Sequence, residues 1–296
     1  MRANVPEVIV SVIVPTYRDW HALRSCLDAL RDQTLPTQEV EILVVENAGE
    51  SQPHDLTLPG NARLLHESAP GSYAARNRGI AEARGAVIAF LDADCLPAVD
   101  WLQAGVECLQ GQPDTTMVGG NIELTYAAPQ LTPAECFEKA FAFRQAQNAA
   151  DGVAVTANLI VHRQVVEAVG VFDDNLMSGG DFEWTRRATS AGFKLVYCDA
   201  AVVRHPARHS LASLVQKARR VSTGSMTLHN EKRLLQGSRR VLANILTDLR
   251  ELFRRSEMTW RERWWALYVM AYLKFVKLHQ RLTMTSRPHE TRKLPR

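Results

Sequence analysis

The segment Ala86-Val-Ile-Ala-Phe-Leu-Asp-Ala-Asp-Cys95 carries the strongest structural signal in this chain. Its apolar run predicts a strand that is buried on both faces, as in a parallel sheet. Asp92 and Asp94 follow at the carboxyl end of that strand, where open α/β sheets bind their ligands. Because side chains repeat every second residue in an extended segment, both carboxylates point the same way. A divalent cation that also binds phosphate oxygens would relieve their repulsion.

The same two aspartates have a simpler interpretation. They could cap the helix that follows or belong to a turn, because Pro97 prevents the strand from continuing inside a sheet. Asp-x-Asp is a short motif with many chance matches. The choice between a ligand site and a turn therefore depends on the rest of the chain.

Strands and helices alternate before this segment. Apolar, mostly β-branched runs predict strands, and apolar residues at helical spacing predict helices. The β-α-β-α-β order favours an α/β fold with a doubly wound parallel sheet and right-handed crossovers. The predicted elements are the strands Val8–Val14, Val40–Val45 and Ala62–Leu65 and the helices Asp19–Gln33 and Gly71–Arg84.

Polar residues follow each of the main predicted strands. Thr16 and Tyr17 end the first strand, and Glu46 and Asn47 end the second. Because the carboxyl ends of parallel strands share one edge of a sheet, we expect these residues beside the aspartate pair. A tyrosine can stack on a base, a carboxylate or amide can bond to the edge of a base, and the aspartates can hold a metal diphosphate. The pattern therefore predicts a nucleotide site.

The helix predicted after Gly71 adds positive charge near this edge. Arg76 and Arg78 lie close to its start, and both helix N-termini and arginines favour phosphate. The chain contains neither G-x-G-x-x-G nor G-x-x-x-x-G-K-[ST]. This disfavours a dinucleotide-dependent dehydrogenase and a P-loop nucleotidase.

Composition predicts a globular protein of a reducing compartment. The 296 residues are 46% hydrophobic, which allows a sizeable core. The five cysteines are scattered and none has zinc-ligand spacing, so we expect a cytoplasmic location. No segment has the features of a signal peptide or the length of a spanning helix.

The net charge of +3 conceals two opposite regions. Residues 1–200 contain 14 Lys and Arg against 26 Asp and Glu, whereas residues 201–296 contain 21 against 6. Such asymmetry indicates a basic appendage that meets an anionic surface. We predict one domain over residues 1–207 and a basic helical region over residues 208–296.

Several segments, in this order, resemble the successive blocks of family 2 glycosyltransferases. The blocks are Val12-Ile-Val-Pro-Thr-Tyr17, Glu41-Ile-Leu-Val-Val-Glu-Asn47, Ala75-Arg-Asn-Arg-Gly-Ile80, Phe90-Leu-Asp-Ala-Asp94, Val153-Ala-Val-Thr-Ala-Asn-Leu159, Val169-Gly-Val-Phe-Asp173 and Ser178-Gly-Gly-Asp-Phe-Glu-Trp184. The resemblance covers about residues 8 to 210 and is far more specific than Asp-x-Asp alone. It implies the Rossmann-like type A nucleotide-sugar-binding fold, with a mostly parallel central sheet.

This resemblance implies a metal-dependent, inverting hexosyltransferase that uses a nucleotide-diphosphate sugar, most often UDP-linked. The acceptor would be a saccharide or a lipid-linked hydroxyl, in polysaccharide or glycolipid assembly. Asp94 would bind Mn²⁺ or Mg²⁺, and Asp92 would contact the ribose or the waters of the metal. The nucleotide-sugar site implied by the blocks comprises Pro15, Thr16, Tyr17, Glu46, Asn47, Arg76, Asn77, Asp92, Ala93 and Asp94.

The resemblance also implies a catalytic base at Asp181, with Glu183 in reserve. An acceptor hydroxyl is a very weak acid, so a positioned carboxylate must take its proton. Asp181 follows a glycine turn and precedes a helix predicted over residues 182–191, which suits an ionised base or equally a helix N-cap. Two positions depart from the family pattern: Glu46 stands where Asp is usual, and Gly180 stands where Glu usually precedes the base.

The last blocks contain further candidates for metal, diphosphate and acceptor contacts. Many relatives use a histidine near the position of His205 as a third metal ligand or a diphosphate contact, and Arg208 and His209 are weaker candidates. A lone histidine is more often structural. Asn158 and Trp184 are candidates for the acceptor side, together with Glu183, although we expect Trp184 in the core.

From Leu211 onward the pattern changes to helices without strands. Residues 239–255 and 258–282 have apolar side chains at helical spacing, and the second helix combines Trp and Tyr with Lys and Arg, as interfacial helices do. We expect peripheral binding to the inner face of an anionic membrane. The alternatives are packing on the first domain or homodimer formation through these helices. Residues 283–296 are predicted to be a disordered basic end.

Two other functions fit parts of the pattern. A nucleotidyltransferase has a similar sheet and aspartates, but it normally has a Gly-rich basic loop after the first strand, and Val14-Pro-Thr-Tyr-Arg-Asp19 is not such a loop. A non-catalytic binder of nucleotide sugars or nucleic acid would explain the basic region but not the Asp181 block. We therefore do not expect nucleic acid as a partner.

Overall fold

The computed structural model describes residues 9–110, 112–113, 116–228 and 245–285. Three sequence expectations reach outside these residues. They are the start of the first strand at Val8, the first part of the helix predicted over 239–255, and most of the disordered end predicted over 283–296. Residues 283–285 belong to the last helix.

The elements agree with the predicted alternation along the first part of the chain. The strands are β1 (Val10–Thr16), β2 (Val40–Glu46), β3 (Ala62–His66), β4 (Val87–Leu91), β5 (Leu96–Pro97), β6 (Thr116–Thr125), β7 (Asn158–His162) and β8 (Lys194–Pro206). The α-helices are α1 (Trp20–Arg31), α2 (Ser72–Glu82), α3 (Trp101–Gln110), α4 (Pro133–Phe141), α5 (Gln145–Ala150), α6 (Arg163–Val169), α7 (Gly180–Ser190), α8 (Leu211–Leu228), α9 (Ile245–Arg254) and α10 (Trp260–Thr285). A short 3₁₀ helix, Thr37–Glu39, precedes β2.

These strands form one mixed sheet in the order β3-β2-β1-β4-β7-β6-β8-β5. Four neighbouring pairs are parallel: β1 with β2 and β4, β2 with β3, and β6 with β8. The remaining pairs, β4 with β7, β6 with β7 and β5 with β8, are antiparallel. The structure confirms the predicted α/β fold and adds antiparallel strands that the sequence alternation did not predict.

Burial explains why these strands occupy these places. β1, β2 and β4 are buried along nearly their whole length, as expected for strands whose two faces are covered by helices. Pro97 lies in β5 at the edge of the sheet, where its missing N–H removes no bond from a central ladder. The buried strand β4 ends directly before the aspartate pair, as the apolar run predicted.

Two helix starts order the loops at the carboxyl ends of the strands. Oδ1 of Asp19 accepts a hydrogen bond from the backbone N–H of Ala22 at 3.1 Å and caps α1. Gly71 precedes α2 with a φ of 115°, a backbone conformation that a residue with a side chain rarely adopts. This turn starts α2 so that Tyr73 and Arg76 lie on its buried side.

The chain divides into two compact units. The first comprises residues 1–125 and 143–206 and contains the sheet, and the second comprises residues 126–142 and 207–296. The predicted domain boundary after residue 207 left residues 126–142 in the first domain. In the structure, α4 of that segment packs with α8 and α10.

The second unit has its own small core. Ala134 of α4, Leu214 and Ala218 of α8, and Val269 and Leu273 of α10 pack together. Such packing buries one face of each amphipathic helix, which is the main source of helix stability in water. Among the described helices, none combines the length and the apolar character that crossing a bilayer requires.

Candidate active site

Asp92 and Asp94 lie directly after β4, as predicted. Burial alternates along this segment: Leu91, Ala93 and Cys95 are buried, whereas both aspartates are partly exposed. The two carboxylates therefore point away from the core on the same side. Ala93, predicted to line the nucleotide-sugar site, offers only its backbone and a largely buried methyl group.

His205 lies inside β8 and is buried. Its Nδ1 is 2.8 Å from the carbonyl oxygen of Pro206, and because a carbonyl can only accept, Nδ1 carries the proton. Its Nε2 lies 3.5 Å from Oδ2 of Asp94. In the neutral ring, Nε2 presents a lone pair toward a carboxylate, an arrangement that a cation between the two would stabilise.

A third potential ligand, which the sequence interpretation missed, lies beside this pair. The ligand atoms of Asp94, Cys95 and His205 lie within 4.8 Å of one another. A carboxylate suits Mn²⁺ and Mg²⁺, an imidazole suits transition metals better than Mg²⁺, and a thiol is a soft ligand. The donor set therefore fits a divalent cation.

The electrostatic environment at this strand end also favours a cation. Burial raises the pKa of the Cys26 thiol, and the carboxylates of Asp94 and Asp92 raise it further. Burial likewise raises the pKa of the Cys95 thiol, again with the help of both aspartates. Both thiols thus experience the negative potential that a metal ion would neutralise.

Arg76 connects this end of the sheet to α2. Its guanidinium is buried, and Nη2 lies 2.5 Å from Oδ1 of Asp92. The same guanidinium lies 5.7 Å from the centre of the Tyr73 ring. Its Nε has no hydrogen-bond partner among the described residues. Arg76 therefore holds Asp92 in place while retaining one unused donor.

Asp181 is the second residue of α7, and the preceding N-cap is Gly179 in the left-handed conformation. The N-cap interpretation of Asp181 is therefore wrong. Its Oδ1 accepts hydrogen bonds from the Tyr73 hydroxyl at 3.3 Å and from the backbone N–H of Phe182 at 3.0 Å. Burial raises the pKa of Asp181 above its usual value, and the negative charge of Asp92 adds to this, against the lowering effects of Phe182 and Arg76.

Tyr73 joins the two parts of the site, and the sequence interpretation missed it. A Cβ atom added at Gly180 would lie 2.8 Å from the Tyr73 ring, so the glycine that departs from the family pattern makes room for this tyrosine. The ring also stacks on Phe172 at 5.7 Å. The only available signal was the position of Tyr73 beside the glycine turn, and a tyrosine there does not reveal its distant partner.

The end of β1 remains open to a ligand. Tyr17 is 56% exposed, and the guanidinium of Arg18 lies 5.3 Å from the centre of its ring. Thr16 is buried, and its hydroxyl has no hydrogen-bond partner among the described residues. Pro15 is partly buried in β1. The predicted stacking position of Tyr17 is thus accessible.

The end of β2 differs from the prediction of direct base contacts. Glu46 is buried, and its carboxylate accepts hydrogen bonds from the backbone N–H groups of Ala48 at 2.5 Å and Gly49 at 3.0 Å. The Asn47 amide donates to two carbonyl groups of the loop 67–71 and accepts from Gly71. Both side chains order loops of the protein, which accounts for their polar character without a ligand.

Three other predicted residues have structural partners. Asn77 exchanges two hydrogen bonds with the backbone of Phe172. Asn158 is completely buried, with its amide bonded to the Trp101 indole and to two backbone carbonyls, which favours a structural role in the core over an acceptor contact. Trp184 is completely buried and donates to the carbonyl of Gly170, as expected for a core residue.

The weaker candidates for the catalytic base and for metal or diphosphate binding form salt bridges with other side chains. Glu183 forms a salt bridge with Arg187 at 2.9 Å, one turn further along α7. Arg208 and His209 belong to the second unit, where they pair with Glu138 and Glu135 of α4. Of the two carboxylates in the segment 178–184, Asp181 is therefore the one that lies beside Tyr73 and Arg76.

Comparisons with known proteins agree with this geometry. The Glycosyl transferase family 2 profile matches residues 11–169. The chain is 39% identical over 233 residues to Glycosyltransferase AglE of Haloferax volcanii, covering 76% of this chain and 75% of AglE.

Two solved structures have a similar fold. The mannosyltransferase PcManGT of Pyrobaculum calidifontis, in complex with GDP-Man and Mn²⁺, has a TM-score of 0.62 at 20% identity over 93% of this chain and 87% of its own. GalNAc-T7 with UDP, GalNAc and Mn²⁺ has a TM-score of 0.54 at 18% identity, over 69% of this chain and 44% of its own. With the profile match, the relative and the fold in agreement, the chain belongs to glycosyl transferase family 2 and is a glycosyltransferase.

Proposed function

We propose that this glycosyltransferase transfers a sugar from a UDP-linked or other nucleotide-diphosphate donor to an acceptor hydroxyl with inversion at the anomeric carbon. One observation carries the proposal. Asp92 is connected to the half-buried carboxylate of Asp181 through Arg76 and Tyr73, and the Asp94 and His205 pair begins two residues after Asp92 in the chain.

Asp94 and His205 would hold Mn²⁺ or Mg²⁺. The position of His205 Nε2, 3.5 Å from Oδ2 of Asp94, and the negative potential around Asp92 and Asp94 support this assignment, and both structural neighbours were solved with Mn²⁺. A bound divalent cation would neutralise the negative charge that develops on the departing diphosphate. Arg76, with its unused Nε donor, would add a fixed positive charge near the phosphates.

Tyr17 and Thr16 would receive the nucleotide. The exposed ring of Tyr17 offers a stacking surface, and the buried Thr16 hydroxyl beside it in the chain has no hydrogen-bond partner among the described residues. Glu46 and Asn47 would act indirectly, by holding the loops that surround the base.

Asp181 would act as the general base. The acceptor oxygen forms its new bond to the anomeric carbon while the bond from that carbon to the diphosphate oxygen breaks. The hydroxyl proton passes to Asp181, and the nucleoside diphosphate leaves with the bonding electrons. A raised pKa makes this carboxylate a stronger base than an exposed aspartate, and attack opposite the leaving group inverts the configuration.

The surroundings of Asp181 suit an acceptor that is partly apolar. Phe182 and Met177 lie one and four residues from Asp181 in the chain, and both side chains are exposed. Such a surface would receive a sugar ring or the first part of a lipid chain, which supports a place in polysaccharide or glycolipid assembly.

None of the five cysteines is paired, which supports a reducing, cytoplasmic setting.

The proposal is tested by incubating the protein with UDP- and GDP-sugars, with and without Mn²⁺, and measuring nucleoside diphosphate release. We expect Mn²⁺-dependent release with at least one donor, and an inverted anomeric configuration of the product by NMR. A nucleotidyltransferase would instead release pyrophosphate from a nucleoside triphosphate and a sugar phosphate. Binding of every donor without turnover would favour a non-catalytic binder.

Replacement of Tyr73 by Phe should move the acid limb of the pH–rate profile to higher pH. The Tyr73 hydroxyl stabilises the ionised form of Asp181, so its removal raises the pKa of the base further. We expect the rate above that limb to fall by less than about tenfold, because the base itself remains. Tyr197→Phe removes a hydroxyl that is bonded to Asp199 and is the matched control. An unchanged acid limb in Tyr73→Phe would show that the Tyr73 hydroxyl does not influence the pKa of the base.

A further inference from the structure

Five aromatic side chains form an exposed row along α10. We call this set the aromatic row: Trp260, Trp264, Tyr268, Tyr272 and Phe275. Trp264 is 69% exposed, Trp260 67% and Phe275 63%. Because these residues are three or four positions apart, they fall on one side of the helix, within an arc of about 120°. Soluble monomers rarely expose a continuous apolar surface of this kind without a use for it.

The opposite face of α10 explains why the row is held outward. Ala266, Val269, Met270 and Leu273 are buried, and Val269 and Leu273 pack in the core of the second unit. Thr259 and Glu262 exchange hydrogen bonds at the start of the helix, as in a capping box. The helix is therefore fixed by its other face, and the aromatic row is presented on a rigid support.

Positive charge accompanies the aromatic row. The guanidinium of Arg263 lies 5.2 Å from the centre of the Trp260 ring and 6.0 Å from that of Phe253. Glu262, the one acidic residue of α10, forms a salt bridge with Lys139 of α4 at 3.0 Å. Arg261 is exposed near the start of the row, whereas Lys274, further along α10, forms a salt bridge with Asp248 of α9 at 3.1 Å.

We propose that the aromatic row binds the surface of an anionic lipid bilayer. Trp and Tyr place their rings at headgroup level with their polar atoms toward water, and neighbouring Arg and Lys bind lipid phosphates. A second copy of the chain is a poorer occupant, because pairing two rows would also bring two basic surfaces together. Aromatic burial and basic attraction together supply the two signals that stable peripheral binding needs. This binding is independent of the donor and of the proposed chemistry.

The test is co-sedimentation of the full chain with phosphatidylcholine vesicles that contain or lack phosphatidylglycerol. We expect binding to the anionic vesicles at low salt, weaker binding to the neutral ones, and release as salt screens the charges. The triple variant Trp264→Ser/Tyr268→Ser/Phe275→Ser should lower the partition coefficient by at least about tenfold. Tryptophan emission of the unmodified chain should shift to the blue on binding.

A matched control removes exposed apolar side chains elsewhere. Val99 and Val221 are 56% and 38% exposed, and Val99→Ser/Val221→Ser should bind vesicles as the unmodified chain does. Circular dichroism and nucleoside diphosphate release in solution check that the triple variant is folded. The proposal is overturned if the unmodified chain does not bind anionic vesicles, or if the triple variant binds equally well. A dimer that the triple variant converts to a monomer, without vesicle binding, would assign the row to a second copy instead.

Discussion

Replacement of Asp181 by Asn lowers the rate of sugar transfer by about 10²–10⁴-fold, the usual contribution of a positioned general base. The amide keeps the size of the carboxylate and can still accept the hydrogen bonds from Tyr73 and Phe182, but it cannot take a proton. Nucleotide affinity should change little, because Asp181 lies on the acceptor side in the proposed mechanism. Steady-state transfer rates and calorimetric binding of UDP check the two effects separately.

The same substitution should stabilise the folded chain near neutral pH. A carboxyl group whose pKa is raised by folding contributes stability that is present below its unfolded pKa and is lost as pH rises through its folded pKa. The charged form of Asp181 therefore opposes folding above this window, and the neutral amide removes that cost. We expect the Tm of Asp181→Asn to lie above that of the unmodified chain near pH 7. The difference should disappear in acid, where Asp181 is protonated.

Asp151→Asn is the control for both effects, because Asp151 is exposed and its carboxylate accepts a hydrogen bond from the side-chain amide of Gln147. Full transfer activity in Asp181→Asn would contradict the base assignment. A large loss in Glu183→Gln without a loss in Asp181→Asn would move the role to Glu183, despite its salt bridge to Arg187.

Replacement of Asp94 by Asn should lower Mn²⁺-dependent nucleoside diphosphate release by at least about 10²-fold. The physical reason is the loss of one negative charge where a divalent cation and a diphosphate would meet. Mn²⁺ affinity, measured by electron paramagnetic resonance in the presence of UDP, should fall in parallel. This second measurement separates a lost metal ligand from a change in the chemical step.

Two histidine variants test the same proposed metal site. His205→Ala removes the Nε2 that faces Asp94 and should weaken Mn²⁺ binding by about tenfold or more. His209→Ala removes a histidine that pairs with Glu135 in the second unit and should leave Mn²⁺ affinity unchanged. If His209→Ala weakens Mn²⁺ binding and His205→Ala does not, the proposed metal site is wrong.

The local sequence pattern was sufficient to predict several features of this protein. The apolar runs of β1, β2 and β4 determined that these strands are buried, because a strand covered on both faces has no polar side. The two-residue repeat determined that Asp92 and Asp94 share one side. Helical spacing likewise determined that the aromatic residues of α10 lie together. Each of these properties depends only on neighbours in the chain.

Only the tertiary structure decided which distant residues meet. Tyr73 and Asp181 are 108 positions apart, and their contact depends on where α2 and α7 lie beside the sheet. The same applies to His205, which reaches Asp94 because β5, two residues after Asp94, pairs with β8 at Arg204. Tertiary structure also assigned Asn158 and Asn47 to internal hydrogen bonds and α4 to the second unit. The physical reason is that periodicity fixes the direction of a side chain on its own element, whereas its partners depend on the order of the strands and the packing of the helices.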